Sequence, residues 1–495
     1  MRIIFRPKLL ECLPNYSRAQ FGKDLASGIT VGVLALPLAM AFAIASGCSP
    51  TAGIWTAIVA GLLTSLFGGS RVQIGGPTGA FIPIVYGIVA AHGFVNLLGA
   101  TMLAGAFLLA MGITRMGQLI RFIPVTVVIG FTNGIAVVIF MAQIKDFFGL
   151  KIDNLPAEFF ARIKTLAANA HTVDLPTLGL AIGCLIFLLS YNRLAQRLAL
   201  LRRAPGPLAV LVVGTLVAWL FELPVETIGS RFNGIPQELP AFGLPALSIH
   251  DFGKLISPAI TIALLGAIES LLSARVADSQ IDDRHDPNQE LIAQGLSNLA
   301  APLFGGFAAT GAIARTTTNV KTGGRTPIAG ILHALVLLAI VLVAAPLAAY
   351  VPLATLSAIV MVVAINMGEW HEFAELRRYS YNYRVILLAT FFVTVLFDLT
   401  IAVELGMVLA SLFFIYRMSE LTRIERMPLD DEAHEPRFIY PDGTMRVAAW
   451  QLYGSLFFGA VNKLEELLDP KAGHPEVVIL DMTRLVQLDT TGLEG

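Results

Sequence analysis

Arg315 lies among small residues and hydroxyls in the run GGFAATGAIARTTT, from Gly305 to Thr318. A glycine pair, then small residues, then an arginine in the first turns of a helix suits the open end of a half-helix. Such an end presents unpaired N–H groups and about half a positive charge, so it attracts an anion. A charge at mid-membrane costs roughly 2.5–3.5 kcal/mol on insertion scales, so Arg315 needs a cavity, a partner or a substrate. The alternative is that the element ends early and the side chain reaches the surface. Thr316, and Thr78 in SRVQIGGPTG (70–79), carry hydroxyls that can donate to an anion or bond back to their own helices. Glu269 stands in the middle of ALLGAIESLLSA (263–274), with Ser273 one turn on. A carboxyl there is a proton carrier, a sodium ligand or the fixed counter-ion of Arg315. Asp489 or a neighbouring Thr in LDTTG (488–492) reads as a helix cap.

Other chemistries find little support. The eight histidines show no HExxH or clustered spacing, and Cys12, Cys48 and Cys184 form no CxxC. Neither a metal site nor a disulfide framework is expected. No nucleophile–base pair or cofactor loop is visible, and Gly305–Gly306 lacks the strand–turn–helix setting of a nucleotide site. An enzyme is not expected, nor is a nucleic-acid partner.

The elements that must position these residues are apolar. Hydrophobic residues make up 56% of the 495-residue chain and charged residues 14%, with mean hydropathy +0.73. That balance fits a polytopic membrane protein whose partner is a lipid bilayer. Residues 1–24 read as a basic, amphipathic cytoplasmic lead-in. Apolar elements follow at about 25–46 and 51–68. A third is opened by Ser70–Gly79 and ends near His92. Others fall at about 95–114, 122–143, 176–192, 206–221, 256–274, 290–304, 311–321, 327–349, 351–366, 383–400 and 402–417. The reading is therefore fourteen transmembrane segments, two of them short. With the N-terminus inside, the inner connections hold Arg115 with Arg121, Arg193 through Arg203, Lys321 with Arg325, and Arg377 with Arg378. The longer connections near 145–175 and 222–255 are exempt from that bias. Both termini are then cytoplasmic.

The two halves echo each other. A span holding a helix breaker or a polar group (Pro37; Glu269) precedes a glycine-rich break (Gly75–Ala80; Gly311–Thr316). Interrupted segments at matching positions point to a transporter site at a repeat interface, and seven spans per half make the repeats inverted. Beyond residue 418 the composition changes. Residues 419–440 read as a linker, and 441–495 as an α/β start with strands at Met445–Gly454 and Val477–Asp481 and an amphipathic helix Ala460–Leu468 between them. The unit is expected to be truncated at LDTTGLEG.

Several stretches together resemble the SulP (sulfate permease) family of anion transporters: GVLALPLAMAFAIASG (32–47), GGPTGAF (75–81), FIPVTVVIGFTNGI (122–135), LGAIESLLSARVAD (265–278), NQELIAQGLSN (288–298) and LFGGFAATGAIARTTTNVKTGGRTP (303–327). The tail resembles the STAS domain that follows the membrane part in that family. GAIESLL and TGAIAR are most similar to the bacterial branch associated with C4-dicarboxylates such as succinate and fumarate. The resemblance implies a 7+7 inverted repeat, with a core of elements 1–4 and 8–11, a gate of 5–7 and 12–14, and a homodimer. It implies substrate between the ends of the third and tenth helices, at Thr78, Gly79 and Ala80 on one side and Ala312, Ala314, Arg315 and Thr316 on the other. First-element contacts fall on Leu38 and Phe42. Many relatives carry Gln where this chain has Leu38, so one polar contact is missing. Thr491 aligns with a hydroxyl phosphorylated in soluble STAS relatives.

The function expected is a secondary active anion transporter of the bacterial inner membrane, working by elevator-type alternating access. Its substrate would be a dicarboxylate or a sulfate-like anion, and Glu269 with Ser273 would couple uptake to H⁺. Sodium, bound by an Asp in bicarbonate-transporting relatives, is less favoured because this chain has Glu. The rival readings are a Na⁺-coupled bicarbonate transporter, a nucleobase carrier of similar architecture, an uncoupled anion channel and a non-transporting STAS scaffold. Arg315 opposes the nucleobase carrier, because a neutral base needs hydrogen-bonding carboxylates and not a positive field.

Overall fold

Helix follows helix along this chain because the apolar runs satisfy their own backbone groups, and breaks fall where glycine, proline or a capping side chain intervenes. The computed structural model describes residues 5–118, 124–152, 155–197, 205–240, 242–246, 252–397, 399–427, 447–461, 463 and 477–494. A short helix α1 (Lys8–Cys12) leads into α2 (Arg18–Ala45) and α3 (Pro50–Phe67). α2 starts seven residues before the expected 25, because the Ser17 hydroxyl accepts from Gln20 N (3.2 Å) and caps it. The expected lead-in is therefore partly helix, and Asp24 within it is fully buried. Its carboxylate accepts from Tyr16 OH (3.1 Å), Gln20 Nε2 (3.0 Å), Arg325 N (3.0 Å) and Thr326 Oγ1 (2.6 Å).

A two-residue strand β1 (Gly75–Gly76) precedes the short helix α4 (Ile82–His92), and α5 (Phe94–Ile113), α6 (Val125–Phe148), α7 (Phe159–Ala168), α8 (Leu175–Arg197), α9 (Gly206–Leu220) and α10 (Ile228–Phe232) follow. α11 (Phe252–Ile281) is longer than the expected 256–274. α12 (Pro287–Ala300) is capped by Asp286, which accepts from Asn288 N (2.9 Å) and Gln289 N (3.1 Å). Strand β2 (Thr310–Gly311) leads into α13 (Ile313–Lys321), and then come α14 (Ile328–Ala348), α15 (Leu353–Met367), α16 (Trp370–Ala374), α17 (Tyr381–Leu396) and α18 (Leu399–Leu421). A helix thus occupies each of the fourteen apolar stretches. Among the described residues six (α2, α3, α5, α6, α11 and α14) are long and apolar enough to cross a membrane. α5 packs on α11 and α12, and α2 on α3 and α14, while α6 packs on α15 and α17. Asn133 holds that second group together, accepting from Glu369 N (2.5 Å).

The chain divides into two compact units, 1–403 and 404–495. In the second, β3 (Arg423–Arg426) pairs antiparallel with β4 (Val447–Leu456), and β4 pairs parallel with β5 (Val477–Leu488). β3 falls where a linker was expected: Ile424 packs against the small core of this unit, and the strand joins the ladder of β4. Ser419–Leu421 of that linker belong to the end of α18, while residues 428–440 and most of the expected helix Ala460–Leu468 lie outside the described residues, as does Asp398. Leu452, Leu456 and Ala460 form a small core here. Asp489 caps the final helix α19 (Thr490–Glu494) by accepting from Gly492 N (2.8 Å), and Thr491 is exposed.

Candidate functional site

β1 and β2 meet inside the first unit as an antiparallel pair, Gly75 opposite Gly311 and Gly76 opposite Thr310. The glycines permit the crossing. A Cβ on Gly76 (φ +147) would lie 2.5 Å from Arg315 Nη1, and one on Gly311 would lie 2.0 Å from Gln73 Nε2. Each strand runs straight into a helix start: Gly79–Phe81 as a 3-10 turn ahead of α4, and Ile313 in α13. The residues ahead of these starts, Thr78 and Ala312, make no side-chain cap. Two uncapped N-termini leave donors and partial positive charge for something else.

Thr78 Oγ1 donates to Glu269 Oε2 across 3.3 Å, and both residues are buried at 8% exposure. Arg315 is 1% exposed. Its Nη2 donates to the Pro77 carbonyl, and its Nη1 is buried with no hydrogen-bond partner among the described residues. Among the described residues no ion pair joins Glu269 to Arg315. The fixed-pair reading of those two residues is thereby corrected: the guanidinium is drawn to a carbonyl of the β1 turn, and the carboxyl takes the threonine. Nor does Arg315 reach a surface. Ala314, beside it, is exposed, whereas Gly79, Ala80 and Ala312 are buried.

Thr316 and Ser273 are engaged elsewhere than expected. Thr316 Oγ1 accepts from Ile74 N (3.0 Å) and from Ser273 Oγ (3.3 Å), which ties α11 and α13 to the β1 approach. Leu38 and Phe42, each 5% exposed, lie one turn apart on α2 in the main apolar core, together with Ala80 and Phe81.

A polar cluster behind the strands was not anticipated. Glu290 is fully buried. Its Oε1 accepts from Gln73 Nε2 (3.0 Å), Gln294 Nε2 (3.0 Å) and Ser270 Oγ (3.2 Å), and its Oε2 from Gly69 N (3.0 Å). Four neutral donors aimed at one carboxyl hold it as an acceptor. Gln73 also donates to Ser270 O (3.0 Å), so the cluster braces β1 against α11 one residue from Glu269. Asn298 braces the approach to β2 through Ala309 N and O, both at 2.8 Å. The signal lay in NQELIAQGLSN, where Glu290, Gln294, Ser297 and Asn298 recur at helical spacing. His333, fully buried, had no such signal in ILHALVLLAIV.

A profile described as the sulfate permease family matches residues 21–390. The Bacillus subtilis protein named "Putative sulfate transporter YvdB" is 44% identical over 485 residues, spanning 96% of this chain and 88% of that protein. The transmembrane domain of a cyanobacterial bicarbonate transporter, BicA, superposes with TM-score 0.71 at 32% identity, covering 79% of this chain and 98% of that one. The murine Slc26a9 anion transporter, in a structure described as inward-facing, superposes with TM-score 0.85 at 19% identity, covering 99% of this chain and 84% of that one.

Proposed function

The chain belongs to the sulfate permease family and is a multi-pass membrane anion transporter, not an enzyme; from that premise we propose that it is a proton-coupled secondary transporter of a dicarboxylate or sulfate-like anion. The observation that carries this reading is the sharing of one hydroxyl. Thr78 stands at an uncapped helix start, where an anion would sit, and donates to Glu269. A hydroxyl has a single proton to donate. While Glu269 is ionised it holds that donor. Once Glu269 is protonated it no longer needs it, and Thr78 can turn to the anion. Proton and anion then enter together.

The rest of the site fits the same chemistry. The two helix ends and Arg315 would supply a positive field, and Ala314, beside Arg315, is exposed where an anion could approach. Leu38 and Phe42 would form its apolar wall. The architecture proposed is fourteen spans as a 7+7 inverted repeat in a bacterial inner membrane, with both termini cytoplasmic, a STAS-like C-terminal unit and a homodimer. The core is α2–α5 with α11–α14, and it would move in an elevator-like manner against a gate built on α6, α8, α9, α15, α17 and α18. Pairing between the two interrupted segments supports a repeat-interface site. Bicarbonate is a second substrate reading, favoured by the 32% identity to a bicarbonate transporter's membrane domain.

Uptake of labelled fumarate, sulfate and bicarbonate into proteoliposomes tests the proposal. An acid-outside gradient is expected to drive at least one of them inward. Uptake that ignores the gradient for all three removes proton coupling.

A further inference from the structure

Arg162 belongs to α7, in the connection between α6 and α8, yet it is only 3% exposed. Its guanidinium is spent on backbone: Nε donates to Pro156 O (3.0 Å), Nη1 to Val138 O (3.3 Å) and Nη2 to Ala157 O (3.1 Å). The plane this fixes lies over the Tyr86 ring, with the guanidinium carbon 5.6 Å from the centroid. Tyr86 stands on α4, which follows Thr78 through the Gly79–Phe81 turn, and its hydroxyl donates to the Leu155 carbonyl in the same connection. One tyrosine of the site-bearing helix is thus gripped twice by one loop. A guanidinium held by three carbonyls is preorganised, so little ordering is lost when the ring docks.

Beside this contact lies a cavity of about 320 Å³. α4 and α11 line one wall (Ile84, Ile88, Thr261), and α6, α7 and α17 the other (Ile135, Arg162, Thr394). Val138 of α6 also lines it, and the next residue, Ile139, approaches Gly79 at the candidate site (3.8 Å from a Cβ built there). The cavity therefore lies against the stretch of α6 that borders the helix start presenting Thr78.

We infer that the Tyr86–Arg162–Leu155 contact is a latch closing the access path to the anion site from the α7 side, and that the cavity is the collapsed remnant of that path. The inference rests on the transport reading above but names its own residues. Opening on this side requires α4 to leave α7. That breaks one hydrogen bond and one cation–aromatic contact while Arg162 keeps its three carbonyls, so the loop stays folded and can reclose.

Thiol accessibility tests it without any need to know the substrate. With Cys12, Cys48 and Cys184 replaced by alanine, Thr261→Cys reports on the buried cavity wall and Ala314→Cys on the exposed edge of the site. A membrane-impermeant thiosulfonate is added to membranes open on both sides. Arg162→Ala and Tyr86→Phe are each expected to raise the modification rate of Thr261→Cys at least tenfold and to lower that of Ala314→Cys. The fall at Ala314 is what mere loosening of a loop does not produce. Unchanged rates in both latch variants overturn the inference, and so does a rise at Thr261 with no fall at Ala314. Tyr86→Phe keeps the ring packing, so it decides the matter if Arg162→Ala does not fold. Should the rates change as expected while no anion is transported, the latch stands and the transport reading fails.

Discussion

Arg315 reaches the site with one nitrogen committed to Pro77 and the other buried without a partner. A charge-assisted hydrogen bond contributes about 1.5–3 kcal/mol. An anion that takes the second nitrogen therefore depends on Arg315 by about 10–100-fold in affinity. Arg315→Ala is expected to reduce initial uptake at low anion concentration by that factor, and an unchanged apparent affinity would remove Arg315 from the site. Arg315 and Glu269 were legible from sequence because a charge inside an apolar run stands out. Glu290 was not singled out, because its partners are neutral and come from segments far apart in the chain: Gly69, Gln73, Ser270 and Gln294. Its role is bracing, so the readout differs. Glu290→Gln turns an acceptor of four bonds into a group that must point an amide at existing donors. Leaving one of those donors unpaired costs about 1–3 kcal/mol. The expected result is a lower melting temperature of the detergent-solubilised protein. Melting identical to wild type would mean that the cluster holds nothing.

The element that organises the site is the β1–β2 crossing, and only half of it could be read in advance. The glycines marked both breaks, and proline and small residues placed the helix starts after them. Pairing of two two-residue strands leaves no periodicity to detect, because alternation needs at least four residues to register. Crossings of this kind rest on absent side chains. The Gly76→Ala methyl would enter 2.5 Å from Arg315 Nη1 at φ +147, a backbone conformation that only glycine adopts without strain. Gly76→Ala is expected to displace Arg315 and abolish anion uptake while helical content, read by circular dichroism, is retained. Normal uptake would mean that the guanidinium does not need its present position. The same logic explains the helix boundaries. α2 and α12 begin where Ser17 and Asp286 cap them, while the starts ahead of α4 and α13, at the site, carry no side-chain cap.

At the scale of the whole molecule, most of the fourteen stretches were readable because they are long or strongly apolar, whereas the short, hydroxyl-rich α13 was placed by the glycine break ahead of it. Helix grouping leaves no mark in composition or periodicity, since α6 meets α15 and α17 across distant sequence, and only the family resemblance offered one. What joins the parts functionally is charge balance over a transport cycle. Glu269 can carry one proton. A monoanion entering with it moves no net charge, whereas a dianion leaves one negative charge, opposed by about 2.3 kcal/mol per 100 mV of inside-negative potential. Glu269→Gln removes the proton but keeps a polar group opposite Thr78. The loaded carrier can still cross with its anion, so exchange of labelled for unlabelled anion is expected to persist. Net uptake also needs the empty carrier to return. In this variant the empty site keeps the positive charge of Arg315 with no Glu269 carboxylate to offset it, so its return becomes potential-dependent and indifferent to pH. The measurement is the same proteoliposomes assayed twice, by counterflow exchange and by acid-driven net uptake, with the potential clamped by valinomycin and potassium. Exchange kept with acid-driven uptake lost identifies Glu269 as the proton carrier. A variant that still answers to the pH gradient as wild type does places the coupling proton on another group.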